Sequence, residues 1–321
     1  MITIIEKEKY YNNVLQQEPT CLVIMSAYNG EQYIKAQVES ILNQVGVNVS
    51  LLVRNDGSGD NTYDILEKLS NYYQNRIYII NGENVGIHRS FKILFDYAKR
   101  LNDFDYLSFS DQDDVWDQDK LYVAINSLCF CDADFYSCSS RLVDEFLKPI
   151  GRTTANIQKY RFYMEGNSKV LSFGSQGCSI VITRRLYDFI QSHELPDKYG
   201  HDTWIPIVSY YLFNCIYDSN PHISYRQHNN SWTGNRENKV KQFLTESKYY
   251  FKGLSRYRPL AKDILKTFDN ELKNSDKVIL NAISGENRTL VERVTALLKY
   301  RFGKYGWKEN IVYMLFYLSG L

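Results

Sequence analysis

The sequence predicts an α/β protein: a mainly parallel sheet with helices on both faces, a mixed continuation of that sheet, and a helical C-terminal extension. Three observations predict it. Short apolar runs alternate with helix-periodic segments over about the first 110 residues, and parallel strands require such crossovers. From about Asp132 the strand-like runs are separated by longer loops, as in an antiparallel or mixed sheet. Beyond Lys239 the apolar residues recur at helical spacing to the end.

Each element follows from its local pattern. Cys21–Met25 is an apolar run that ends in the turn Ser26-Ala-Tyr-Asn-Gly30. Glu31–Asn43 carries Tyr33, Ile34, Val38, Ile41 and Leu42 at helical spacing. Val49–Val53 reads as the second strand, closed by Arg54-Asn-Asp-Gly-Ser-Gly-Asp60, and Asn61–Tyr73 as the second helix, with Ile65, Leu66 and Leu69 on one face. Arg76–Ile80, Ser90–Leu101 and Tyr106–Ser110 are expected as strand, helix and strand. Further on, Phe135–Cys138, Gly177–Thr183 and Ile216–Tyr225 read as strands, with a helix near Arg185–Ser192.

Ligands of parallel sheets sit beyond the carboxyl ends of the strands. Asn29-Gly30, Asp56-Gly57, Asn84–Gly86 and Asp111–Asp114 all follow strands, so four polar turns are expected on one rim. Neither a G-x-G-x-x-G turn after the first strand nor a G-x-x-x-x-G-K-[ST] loop occurs in the sequence. Phosphate binding must then rest on something other than a glycine cradle. Asp111-Gln112-Asp113-Asp114 offers an alternative, because crowded carboxylates repel and a divalent cation relieves them while leaving positions for phosphate oxygens. A solvated acidic turn is the plainer reading of the same residues.

Composition narrows the classes. A chain of 321 residues suits one large domain or a domain with an appendage. The net charge is +1, but from Glu237 onward 16 Lys/Arg face 9 Asp/Glu, whereas the first 236 residues hold 22 against 28. The acidic body argues against nucleic acid as a partner. The six cysteines form no C-x-x-C pair and are expected as small buried hydrophobes in a reducing compartment. The N-terminal residues lack the pattern of a signal peptide, and no apolar run approaches the ~20 residues of a membrane span. A cytoplasmic protein is expected.

Six segments in order carry a resemblance to a known family: Ser26-Ala-Tyr-Asn-Gly-Glu-Gln-Tyr33, Arg54–Thr62, Asn84-Val-Gly86, Ser110-Asp-Gln-Asp-Asp-Val-Trp116, His201-Asp202 and Tyr225-Arg-Gln-His228. The sequence resembles the inverting family 2 glycosyltransferases of the Rossmann-like GT-A fold, and within them the bacterial rhamnosyltransferase-like branch. The resemblance spans Cys21 to about Gly234. It implies a glycosyltransferase domain over residues 1–236, with a nucleotide-binding half over about 18–130 and an acceptor half over about 131–236. Residues 237–321 form the helical extension.

Site roles follow from the resemblance. Ser26, Tyr28, Asn29, Asp56, Asn84, Asp111 and Gln112 should bind the nucleotide-sugar, with Asp56 accepting the imide N–H of uracil or thymine. The family usually carries two acids here, and this chain has Asn55 in place of the first. Asp113 and His228 should coordinate Mn2+ or Mg2+ at the diphosphate, while Asp114 is expected to cap the following turn. Asp202 falls where the family carries its catalytic base, although an Asp there also suits a helix N-cap before Trp204. Gly174, Gln176, Gly177, His201 and Arg226 are assigned to the acceptor side. Arg226 either pairs with phosphate or with an internal carboxylate.

The extension interleaves cations with aromatics at Lys248–Lys252, Arg256-Tyr-Arg258, Lys299–Phe302 and Lys304–Lys308. Such helices suit contact with the inner face of an anionic membrane, where lipid-linked glycans reside. Helices packed on the body with a solvated basic face fit equally. The implied function is metal-dependent inverting transfer of a hexosyl residue, rhamnose from dTDP-rhamnose first, onto a bacterial surface polysaccharide or lipid-linked glycan. UDP-glucose, UDP-galactose or a UDP-N-acetylhexosamine are alternative donors. A nucleotidyltransferase or a non-catalytic sugar-nucleotide-binding module are the alternatives from other classes.

Overall fold

Thr20–Ala27 forms the centre of a sheet because its side chains are apolar on both faces, with Val23, Ile24 and Met25 all fully buried. The computed structural model describes residues 2–5, 18–101, 103–154, 175–194, 196, 198–228 and 259–284. The chain divides into two units, Met1–Gln158 with Ser175–His228, and Lys159–Gly174 with Asn229–Leu321.

In the first unit the elements run β1 (Ile2–Ile5), β2 (Thr20–Ala27), α1 (Ile34–Leu42), β3 (Asn48–Asp56), α2 (Thr62–Tyr72), β4 (Ile77–Gly82), α3 (Ile87–Ala98) and β5 (Tyr106–Ser110). There follow β6 (Val115–Trp116), α4 (Lys120–Phe130), β7 (Phe135–Val143), β8 (Pro149–Thr153), β9 (Val181–Thr183), α5 (Arg184–Gln191), α6 (His201–Leu212) and β10 (Cys215–Arg226). Among the described residues they make a ten-stranded sheet ordered β1-β10-β7-β9-β5-β2-β3-β4, with β6 on β10 and β8 on β7.

Strands β5, β2, β3 and β4 are mutually parallel, and β9 runs antiparallel between β5 and β7. The sheet is therefore mixed where the sequence pattern changes. One face carries Cys21, Val23, Met25 and Ala27 against Ile34, Val38, Leu66 and Leu121 of the helices. On the other, Phe109 meets Phe91 and Phe95 of α3, each at 6.2 Å between ring centres.

Several expectations change. Gly177–Ser179 is a 3-10 turn rather than strand, and only Val181–Thr183 pairs. Helix α4 was not expected because it is buried almost all round: Leu121, Val123, Ala124, Ile125 and Leu128 are joined by Lys120, Asn126 and Ser127, so no amphipathic stripe exists to read. Strand β1 pairs parallel with Cys215–Asp218 of β10. Four cysteines are buried as expected, but Cys129 is exposed and Cys131 half-buried; all six are free thiols.

In the second unit residues 259–267 and Asn274–Ser284 are helical, as the spacing predicts, with Leu260, Ile264, Phe268, Ile279 and Leu280 buried. The cation–aromatic segments of the extension lie outside the described residues, as does Gly174. Among the described residues no helix is long and apolar enough to cross a membrane.

Candidate active site

The loops that follow β2, β3, β4 and β5 meet at one rim and are tied together by their own side chains. The Gln112 amide donates to the Tyr28 carbonyl at 2.9 Å and accepts from the Tyr28 N–H at 2.8 Å. A Cβ at Gly30 would collide with that amide, which explains the glycine. Asn29, at φ +48°, accepts from the Gly59 N–H at 2.8 Å, and its own N–H donates to Ser58. Ser26 donates to Ser90 of α3 at 2.6 Å.

Asp56 ends β3 at 2 % exposure. Its carboxylate pairs with the buried Arg54 guanidinium and accepts the Val85 and Gly86 N–H groups, both at 3.0 Å. Three donors leave about one of its four acceptor positions unused. Arg54 also donates to the Glu83 carbonyl at 2.8 Å, so this pair fixes the Asn84–Gly86 loop. Asn55 takes over turn construction: it accepts from the Ser58 hydroxyl at 2.6 Å and donates to Asn81 at 2.7 Å. Gly57, at φ +74°, abuts the Asn84 backbone.

Beyond β5 the balance reverses, because carboxylates outnumber donors. Burial, reinforced by Asp113 and Asp202, pushes Asp111 up to about 7. Asp114 is fully buried and held well above the usual carboxylate range by burial, Asp111 and Asp113. Its Oδ1 accepts the Arg226 N–H of β10 at 3.1 Å, whereas Oδ2 makes no hydrogen bond of ordinary geometry. Asp114 thus ties the loop after β5 to β10 instead of capping a turn. Cys178, a buried thiol held protonated by burial and by Asp114 and Asp111, lies close to both acids. Lys120, also fully buried, sits over the Trp116 ring at 3.3 Å and is lowered to about 8 by burial. Neither Cys178 nor Lys120 stood out in the sequence.

Asp113 and His228, separated by 115 residues, meet at 2.7 Å between Oδ2 and Nε2. Arg226 braces this contact. Its guanidinium donates to the backbone carbonyls of Asp113, at 2.7 Å, and Glu145, and lies 4.4 Å from the Tyr33 ring centre. Tyr33 also packs against His228 at 5.3 Å. The acceptor-side assignment of Arg226 therefore meets a residue turned to the Asp113 loop and bonded to carbonyls.

Gly200 is the N-cap of α6, so Asp202 belongs to the first helical turn and is not the cap. A carboxylate there is favoured by the helix dipole. The His201 ring lies between Phe91, at 4.0 Å, and Phe109, at 4.8 Å, and neither nitrogen has a hydrogen-bond partner. Burial lowers its pKa to about 4, so it is a neutral packing element. A Cβ at Gly177 would strike its Nε2. Gln176 accepts from Ser140 at 2.7 Å and from Thr154 at 3.3 Å. The sequence reading missed His88, in the first turn of α3: its Nδ1 and the Asp202 Oδ1 each lie 2.5 Å from the point a Gly200 Cβ would occupy.

The donor set fits a divalent cation. One oxygen each of Asp111 and Asp114 and the Cys178 sulfur lie within 4.8 Å of one another, and Asp114 has an oxygen, Oδ2, without a hydrogen bond. A second cluster, Asp117, Asp119 and His222, is already compensated, since Arg141 forks onto both Asp117 oxygens.

A family model for glycosyl transferase family 2 matches residues 22–189, just over half of the chain. The chain belongs to that family. It is a nucleotide-sugar-dependent glycosyltransferase on a GT-A-type scaffold. Among sequence relatives, the dTDP-rhamnosyl transferase RfbG of Shigella flexneri is 29 % identical over 256 residues, covering 75 % of this chain and 82 % of its own. Among solved structures, S. aureus TarS in complex with UDP-GlcNAc has a TM-score of 0.57 at 16 % identity, over 93 % of this chain and 81 % of that one. The mannosyltransferase PcManGT of Pyrobaculum calidifontis, solved with GDP-Man and Mn2+, has a TM-score of 0.54 at 14 % identity, over 95 % and 86 %.

Proposed function

We propose that the protein is a metal-assisted, inverting hexosyltransferase that draws on a pyrimidine nucleotide-sugar and glycosylates a surface polysaccharide or lipid-linked glycan. The observation that carries this reading is the 2.7 Å approach of Asp113 to His228, beside an Asp111 raised to about 7 by burial and by its acidic neighbours. Carboxylates crowded in this way, with an imidazole at one end, suit a divalent cation and an anionic diphosphate together. Oxygen donors suit Mn2+ and Mg2+ alike, and the imidazole tilts the set toward Mn2+. When bound, the ion neutralises charge on the departing diphosphate.

The chain's own residues do the rest. The remaining acceptor position of Asp56 receives the base imide, with Asn84 alongside it. The Tyr28–Gln112 clamp, with Ser26 and Asn29, shapes the floor under the ribose, and Asp111 stands between the nucleotide and Asp113. The Asp202 carboxylate removes the acceptor hydroxyl proton as that oxygen attacks the anomeric carbon on the side opposite the diphosphate, which inverts the centre. Gln176, Gly177 and His201 form the wall behind the acceptor.

The donor is a UDP-hexose or UDP-N-acetylhexosamine, in keeping with the UDP-GlcNAc bound by TarS. The long match to the dTDP-rhamnosyl transferase RfbG favours dTDP-rhamnose as the second reading. Both bases present the same imide to Asp56. The test is a screen of UDP-glucose, UDP-galactose, UDP-N-acetylglucosamine and dTDP-rhamnose for Mn2+-dependent binding and slow hydrolysis, repeated with Asp113→Ala and Asp202→Asn. Binding indifferent to metal would remove the Asp113–His228 assignment, and undiminished transfer by Asp202→Asn would remove the base. Liposome flotation with and without the residues after Lys239 tests peripheral membrane contact; equal flotation ends that idea.

A further inference from the structure

The residue of α3 that faces Asp202 across Gly200, His88, has no role in the reaction described so far. His88 follows directly on the loop pinned by Asp56, whose carboxylate holds the Val85 and Gly86 amides. Its imidazole is exposed and stands close enough to α6 to act electrostatically on His201. Asp202 Oδ1 and His88 Nδ1 are each 2.5 Å from a single point above Gly200, so they lie within 5.0 Å of one another. They form no direct hydrogen bond or ion pair, and one oxygen atom with two hydrogen bonds of about 2.8 Å spans such a gap. Gly200 has φ −70° and ψ 158°, a backbone that any residue adopts. The glycine is therefore not required by its conformation. It keeps a side chain out of the space between the two groups.

We propose that His88 is a second acceptor-binding residue, which with Asp202 holds the attacking hydroxyl in the space left open by Gly200. The inference rests on Asp202 being the base. The hydroxyl proton points at Asp202 Oδ1, and His88 Nδ1–H donates to one lone pair of the oxygen. The remaining lone pair faces the anomeric carbon. As the new C–O bond forms, the proton passes to Asp202, and the bond from the anomeric carbon to the diphosphate breaks with its electron pair leaving on the diphosphate. His88 ends the step in the protonation state in which it began. Holding the oxygen at two points restricts it to attack geometry, which is where orientation contributes to rate.

The test uses the full chain and whichever of UDP-glucose, UDP-N-acetylglucosamine and dTDP-rhamnose the wild type hydrolyses fastest, with water as the acceptor. His88→Ala and Gly200→Ala are expected to lose about 10- to 100-fold in turnover, with Mn2+-dependent affinity for the nucleoside diphosphate unchanged within about twofold by calorimetry. His88→Asn, whose amide nitrogen stands where Nδ1 stood, should recover part of the loss, and His88→Gln should not. Wild-type turnover in His88→Ala and Gly200→Ala, beside an inactive Asp202→Asn, would overturn this inference and leave the base intact. Full turnover in Asp202→Asn would overturn both. His88 is on the surface, so His88→Ala decides the matter if Gly200→Ala fails to fold.

Discussion

The two sides of the rim are built on opposite principles. Around Asp56 the polar groups are answered mostly from within: Asp56 by Arg54 and two backbone amides, Gln112 by Tyr28, Asn55 by Ser58 and Asn81. Beyond β5 Asp111, Asp113, Asp114 and Asp202 press on one another and one oxygen of Asp114 has no hydrogen bond. The first side is rigid before a ligand arrives. The second carries acid that the fold does not compensate. Substitutions on the first should therefore cost stability, and substitutions on the second should cost activity.

The largest effect expected is that of Asp113→Ala, which removes a charge the fold does not need. Transfer should fall by about 10^3-fold or more, while the urea midpoint stays within experimental error of wild type; a large stability loss would break the comparison. Asp56→Ala should cost stability as well as nucleotide affinity. It strands a guanidinium that is only 4 % exposed and should cost about 3 kcal/mol of unfolding free energy, measured by urea denaturation. Gly30→Ala should force the Gln112 amide away from Tyr28 and cost about 1–2 kcal/mol, with weaker nucleotide binding by calorimetry.

The smallest effect concerns pH. Asp111 keeps its proton in the folded protein up to about 7, whereas an unfolded chain loses it near the ordinary carboxylate value. Its contribution to stability therefore declines as pH rises between those two values. His201, lowered to about 4 by burial, works in the opposite direction between 4 and 6.5, because there only the unfolded chain is protonated. Above 6.5 that opposition is gone, and Asp114, also raised, works in the same direction as Asp111. Without divalent cations the melting temperature should fall by about 1–3 °C between pH 6.5 and 7.5. Asp111→Asn should reduce that fall, and Mn2+ should oppose it. A flat profile in calorimetry would mean that the acidic side is already compensated.

Much of the fold could be read along the chain. The alternation of apolar runs and amphipathic helices gave β2 to β5 and α1 to α3 to within a few residues, because each burial face repeats locally. Helix α4 escaped because it is enclosed on all sides, so its sequence has no polar stripe. Gly177–Ser179 looked like strand because a buried apolar run has no period that separates a turn from a strand. Within the site, Asp111, Asp113, Asp202 and His228 were visible as motif residues, but Asp114 was not interpretable: its partner, the Arg226 amide, lies 112 residues further on.

By itself the sequence determined the alternation of β2–β5 with α1–α3, the rim on which polar turns collect, and the family. Those properties depend on local periodicity and short motifs, which persist in a linear string. Only the tertiary structure decided which acids are compensated and which are not. It joined Asp56 to Arg54 and the Val85–Gly86 amides, set Asp113 against His228, and brought His88 up to Asp202 across Gly200. Electrostatic energy depends on distance and burial in space, and neither is encoded in the spacing of residues along the chain.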